Sequence, residues 1–228
     1  IDYAIHGGIK PARIIVTDID QARLDRAQKL ISIESAQKEG IELIYVNTKD
    51  LPDPVATLRE LNGGKLFDDV FVFAPVKSLV EMADALLGKD GCLNFFAGPT
   101  DPKFSANFNF YNVHYESHHL VGTSGGNTDD IRESLELMAK GLLHPEAMIT
   151  HIGGLNAVAE TTINLDKIPG GKKLIYTHKK LDLVAIADFA ARGATDPFYA
   201  ELAWITEAHD GLWCKEAEDY LLAHAPEI

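Results

Sequence analysis

Positive charge is in short supply in this chain. It carries 21 Lys and Arg against 34 Asp and Glu, a formal net charge of −13, and such an acidic balance argues against nucleic acid or an anionic membrane surface as a partner. A local cationic pocket for a small acidic ligand remains compatible with it. Cysteine is nearly absent. Cys92 and Cys214 lie far apart, fit no metal or redox spacing, and read as reduced thiols of a cytoplasmic protein. No apolar run approaches the roughly 20 residues of a membrane span, and no signal-peptide pattern is visible. There is no G-x-S-x-G, no H-E-x-x-H and no C-x-x-C, so no nucleophile–base arrangement can be read. A glycine-rich G-x-G-x-x-G turn is also missing.

What is present is a regular alternation. The 228 residues are 46% hydrophobic, enough for one large domain, or one domain with an appendage. The β-branched run Ile14–Thr17 predicts a strand. Leu24, Ala27, Leu30 and Ile31 at helical spacing predict a helix over Gln21–Ser35. Ile41–Val46 is a second strand. Asp53-Pro54 opens a helix that stops at Gly63-Gly64. Val70–Ala74 is a strand closed by Pro75, and Ser78 with Glu81 three residues on predicts a capped helix to Leu87. Strands follow at Cys92–Ala97 and His119–Thr123, then a helix over Thr128–Gly141. Repeated strand–helix units of this length indicate a Rossmann-like, doubly wound parallel sheet with helices on both faces.

From Thr150 the pattern changes to a short helix at Leu155–Thr162, a Pro169-Gly-Gly turn and a strand over Lys173–Tyr176. Helical stretches then run over Leu183–Arg192, Pro197–Ala208 and Cys214–Ala223. The expected divisions are 1–148, 149–177 and a helical C-terminal extension over 178–228.

The strand Ile14–Thr17 ends in Asp18, with Asp20 opening the next helix. In a dinucleotide-binding sheet, the acid that ends the second strand accepts hydrogen bonds from the adenosine ribose, and a glycine-rich turn lies about 20 residues before it. Only seventeen residues precede Asp18. The expectation is therefore a cofactor domain lacking its first strand and glycine loop. That strand is central in the 3-2-1-4-5-6 order, so its absence leaves two sheet edges to be covered by other polypeptide.

An acid at position 18 disfavours a 2′-phosphate, whereas Arg23 and Arg26 are able to swing toward one, so NAD and NADP both stay open. Other candidate cofactor contacts are the strand exits Phe73-Ala74-Pro75, Ala97-Gly98 and Thr123-Ser124-Gly125, because ligands sit beyond strand carboxyl ends and glycine permits close backbone approach. Lys173, after a glycine pair, is a candidate cation for a pyrophosphate, or simply a lysine guarding a strand edge. His114, His118 and His119 cluster with Glu116 but lack helical metal-pair spacing. Strand alternation places His118 and His119 on opposite faces.

Several stretches resemble the medium-chain, zinc-dependent alcohol and polyol dehydrogenases, and within them the L-sorbose 1-phosphate reductase group. They are Arg13-Ile-Ile-Val-Thr-Asp18 with the helix from Arg23, Phe67-Asp-Asp-Val-Phe-Val-Phe-Ala-Pro75, Gly91-Cys-Leu-Asn-Phe-Phe-Ala-Gly98, and Ile149-Thr-His-Ile through Gly171-Lys-Lys-Leu-Ile175. The resemblance covers Ile1 to about Thr177. It implies hydride transfer between NAD or NADP and a sugar phosphate or polyol, with a homo-oligomeric assembly. It also implies a catalytic zinc whose Cys, His and Glu ligands belong to a GroES-like domain with no counterpart motif here. The segment near Thr150–Tyr176 would return to that domain. The resemblance leaves the catalytic residues of this chain unassigned and gives it no metal ligand. Two other readings fit the sequence less fully. One is an S-adenosylmethionine methyltransferase, whose sheet ends in an antiparallel hairpin. The other is a non-catalytic nucleotide-binding module.

Overall fold

The computed structural model describes residues 1–228. The chain divides into two units, Ile1–Leu143 and His144–Ile228.

The first unit runs α1 (Asp2–His6), β1 (Arg13–Asp18), α2 (Gln21–Leu30), α3 (Ile33–Lys38), β2 (Glu42–Asn47) and α4 (Pro54–Leu61). It continues with β3 (Phe67–Val72), α5 (Lys77–Leu86), β4 (Leu87–Phe95), α6 (Phe110–Tyr115), β5 (His119–Gly122) and α7 (Thr128–Ala139). Every strand pairing in it is parallel, the signature of strand–helix–strand crossovers. The pairing falls into two sheets, β1–β2 and β3–β4–β5. Both β1 and β3 are therefore edge strands, each with one side unpaired. This is the doubly wound architecture with a break between the strands that take positions 2 and 4. Arg13 at the start of β1 ties the two halves at the amino-terminal edge. It donates to Glu42 Oε2 at 2.8 Å and to Asn62 Oδ1 at 3.2 Å, and Asn62 in turn donates to the carbonyls of Lys65 and Leu66 that lead into β3.

Each half has its own small core. Ile5, Ala36, Ile41 and Leu43 are buried under β1–β2, with Ile14 and Val16 packed against them. Val72, Val80, Ala83, Leu87 and Leu93 form the second core, between α5 and one face of β3–β4. The register Phe71↔Asn94↔Val121 puts those three residues on the opposite face, where Phe71 and Val121 are exposed.

Several elements differ from the sequence-based expectation. The helix predicted over Gln21–Ser35 breaks at Ile31, because Ser32 caps a new helix by accepting from Ser35 N–H at 3.0 Å. Tyr45 stabilises the break by donating its hydroxyl to the Ile31 carbonyl at 2.8 Å. Ser78 is not a cap. The helix begins a residue earlier at Lys77 without a side-chain cap, and Glu81 instead accepts from Asn107 N–H and Nδ2–H. β4 follows α5 directly at Leu87, passing through Asp90 in the left-handed region. A Cβ on Gly91 would lie 2.7 Å from the Gly88 carbonyl oxygen, so only glycine fits that turn. The helix after β5 is capped by Asn127 in a reciprocal box with Asp130.

The second unit contains β6 (Ile149–Gly154), α8 (Val158–Ile163), β7 (Lys172–Tyr176), β8 (Val184–Ala185), α9 (Phe189–Gly193), α10 (Pro197–Ala208) and α11 (Lys215–His224). Strand β6 is central, parallel to β7 and antiparallel to β8. The stretch predicted as helix over Leu183–Arg192 opens with β8 and a 3-10 turn before α9. Val184 pairs with Ile152 across β6, so a tertiary partner overrides local helical propensity. One continuous core joins Ile152, Phe189, Leu202, Ile205, Trp213 and Leu221. Inside it Tyr176 Oη accepts from Trp213 Nε1–H at 3.0 Å and donates to Glu218 at 2.8 Å. Burial, with the Glu218 hydrogen bond adding to it, pushes that phenol far above its ordinary range. A Cβ on Gly154 would sit 2.2 Å from the Lys179 carbonyl oxygen, which explains a glycine at the end of a central strand.

Candidate functional site: the carboxyl ends of the parallel strands

Parallel strands send all their carboxyl ends to one edge of the sheet, and the loops there can converge on a ligand. On the β1–β2 half, that edge carries Asp18. Its Oδ1 accepts from the Asp20 backbone N–H at 2.9 Å, and Asp20 caps α2 by accepting from Ala22 N–H at 2.9 Å. The second oxygen, Oδ2, lies 3.8 Å from the Arg23 guanidinium, which also reaches Asp20 at 3.6 Å. Arg23 is 74% exposed, so this ion pair is weak and breaks at little cost. Asp18 thus holds one oxygen in its own turn and presents the other beside a movable cation.

On the other half, the exits of β4 and β5 form an open groove of about 460 Å³, lined by Phe95, Phe96, Gly98, Pro99 and Gly122 to Gly125. Of the residues singled out from sequence, Gly98, Thr123, Ser124 and Gly125 come together here. Gly98 (φ 58°) and Gly125 (φ 80°) occupy the left-handed region, where a side chain is strained. Ala97, like Phe95, packs against the edge of the core beneath. Phe73 leaves β3 exposed and meets Phe96 edge-on at 5.9 Å between ring centres. Ala74 accepts from Val76 N–H at 2.8 Å and closes the turn around Pro75.

Lys173 lies in the second unit. Its ammonium donates to the carbonyls of Ile168, Pro169 and Gly171 at 3.2, 3.3 and 2.9 Å, which occupies all three of its protons in fastening its own turn.

The two histidines separate, although His118 lies just before β5 and only His119 is in the strand. His118 is buried beside Asp84, at 3.8 Å, while His119 on the outer surface contacts Asp90 at 2.9 Å.

One residue escaped the sequence reading. Asn94, inside β4, accepts from the Thr123 hydroxyl at 3.0 Å. The available signal was a polar amide in the middle of the apolar run Cys92–Ala97, a poor residue for a strand interior.

Two all-parallel sheets in doubly wound order, with an acid ending the first strand and glycine exits on the last two, define a dinucleotide-type α/β domain. The parallel pairing throughout the first unit also removes the antiparallel hairpin that a methyltransferase sheet needs. Residues 1–140 match the family described as zinc-binding dehydrogenase, and the chain belongs to that family. It is 57% identical over 222 residues to a mannitol-1-phosphate 5-dehydrogenase of Aliivibrio fischeri, covering 97% of this chain and 52% of that protein. It is 46% identical over 228 residues to an L-sorbose 1-phosphate reductase of Klebsiella pneumoniae, covering 100% of this chain and 52% of that protein. The chain thus spans about half the length of the curated relatives it matches. Among solved structures, a short chain alcohol dehydrogenase from E. coli CFT073, complexed with NADH, matches 76% of this chain and 47% of its own with TM-score 0.56 at 16% identity. That likeness is one of fold.

Proposed function

We propose that this chain forms the cofactor-binding part of an oxidoreductase that transfers hydride between NAD(H) and a sugar phosphate or polyol. The observation that carries the reading is Asp18 at the carboxyl end of β1, whose Oδ1 closes its own turn while Oδ2 takes no part in that bond. That oxygen is suited to accept from adenosine ribose hydroxyls, and it repels a 2′-phosphate. Arg23 pairs only weakly with Asp18 and Asp20, so the preference for NAD over NADP rests on the Asp18 charge. The groove at the β4 and β5 exits then takes the ring-bearing end of the dinucleotide, with glycines permitting close backbone approach. The unpaired edges of β1 and β3 are each able to accept a further parallel strand, as the strand order of such sheets requires. The family names of the relatives support the substrate class. A zinc ion, where such enzymes hold one, polarises a carbonyl or lowers the pKa of an alcohol; no residue of this chain is assigned to it. A homo-oligomer is the proposed assembly.

Calorimetric titration of the intact protein with NAD and NADP tests the reading. Asp18→Ala is expected to weaken NAD binding by about tenfold, the worth of a hydrogen bond to a charged group, and to leave NADP affinity level or improved. Equal NAD affinity in both proteins overturns the assignment of Asp18.

A further inference from the structure

The sheet row Phe71–Asn94–Val121 is apolar except at its centre. Asparagine is disfavoured in a strand interior, so its presence there calls for a specific partner. That partner is Thr123, the first residue after β5, whose hydroxyl donates to Asn94 Oδ1 at 3.0 Å. Thr123 is also held from behind, its backbone N–H donating to the Phe95 carbonyl at 3.4 Å. A hydroxyl has one proton and two lone pairs. Once the proton is committed to Asn94, only acceptor capacity is left for anything in the groove that Thr123 lines.

We propose that Asn94 is a positioning residue. By accepting the hydrogen bond of the Thr123 hydroxyl it leaves that oxygen as an acceptor at the groove, selecting ligands whose ring carries an amide N–H, such as the carboxamide of a nicotinamide. This rests on the dinucleotide reading above and goes beyond it by naming the residue that sets the polarity of the ring-end contact. Asn94 itself acts through Thr123.

The test uses the intact protein and three probes: NADH, the 3-acetylpyridine analogue that lacks the amide N–H, and ADP-ribose that lacks the ring altogether. The unsubstituted protein is expected to prefer NADH over the acetylpyridine analogue by about five- to tenfold, the range for one hydrogen bond. Asn94→Leu and Thr123→Val are each expected to abolish that preference while ADP-ribose affinity stays unchanged, which also certifies that the variants fold. Asn94→Asp keeps an acceptor and should restore the preference. If Asn94→Leu fails to fold, Thr123→Val carries the same reading. Full retention of the preference in a folded Asn94→Leu or Thr123→Val overturns this inference and leaves the dinucleotide reading intact. Failure of the unsubstituted protein to bind either ADP-ribose or NADH overturns the dinucleotide reading itself.

Discussion

The two units of this chain bury their apolar residues in different ways. The second, His144–Ile228, gathers Ile152, Tyr176, Phe189, Leu202, Trp213 and Leu221 into one core from strands β6 and β7, helices α9 to α11 and the loop before α11. The first, Ile1–Leu143, divides its buried residues between two small clusters on separate sheets. It leaves Phe71, Phe73, Phe96 and Val121 on an open face, with Ile131 and Leu135 exposed on α7. Apolar burial is the dominant favourable term in folding, so the second unit has the means to hold itself together. The first has the topology of a cofactor domain but spends less of its apolar surface on its own core. Its strand exits are open, and β1 and β3 each keep one unpaired edge.

The contrast can be broken most forcefully by deleting one phenyl ring from each unit. Phe189 is 1% exposed in the second core and Phe73 is 71% exposed on the first. Phe189→Ala is expected to cost about 3–5 kcal/mol, read as faster hydrogen exchange across residues 144–228. Phe73→Ala should change stability by no more than about 0.5 kcal/mol. Comparable losses at the two sites would show that the aromatic face is covered rather than open.

A smaller effect is expected at α7, where Asn127 accepts from the N–H groups of Asp129 and Asp130 while Asp130 returns the bond. Asn127→Ala should destabilise that helix by about 1 kcal/mol. Faster exchange confined to residues 128–139 would show that α7 opens independently of the two small cores.

The smallest effect concerns pH. Burial, assisted by the nearby Lys173 charge, pulls the His151 imidazole below its ordinary range. The unfolded chain then binds a proton that the folded one resists. Stability from this residue is therefore complete above about pH 6.5 and declines as pH falls below it. Thermal unfolding followed from pH 7 to 5 should fall more steeply for the parent protein than for His151→Gln, and parallel slopes would remove His151 as the cause.

Much of this architecture was legible in the sequence because local signals agreed with the tertiary outcome. Asp53-Pro54 places a cap and a first-turn proline, and α4 begins there; the helix expected from Pro197 is α10. The β-branched run before Asp18 is β1. The misread elements are those where a distant partner decides. Ser32 and Tyr45 together end α2, and Tyr45 comes from the next strand. Ser78 had the right spacing for a capping box, but its partner Glu81 is taken by Asn107, 26 residues on. Val184 pairs with a strand more than 30 residues earlier. The site divides in the same way. Glycines at strand exits are visible in sequence, and Gly98 and Gly122 to Gly125 line one groove. The engagement of Lys173 by its own turn and the bond from Thr123 to Asn94 depend on geometry that no spacing reveals.

Hydrogen–deuterium exchange of the intact protein with and without NADH tests the central claim most directly. The account predicts slowed exchange at the strand exits, in peptides covering Asp18, Gly98 and Thr123 to Gly125, with the core of His144–Ile228 unchanged. No protection at those exits, or protection there by S-adenosylmethionine in place of NADH, would contradict it.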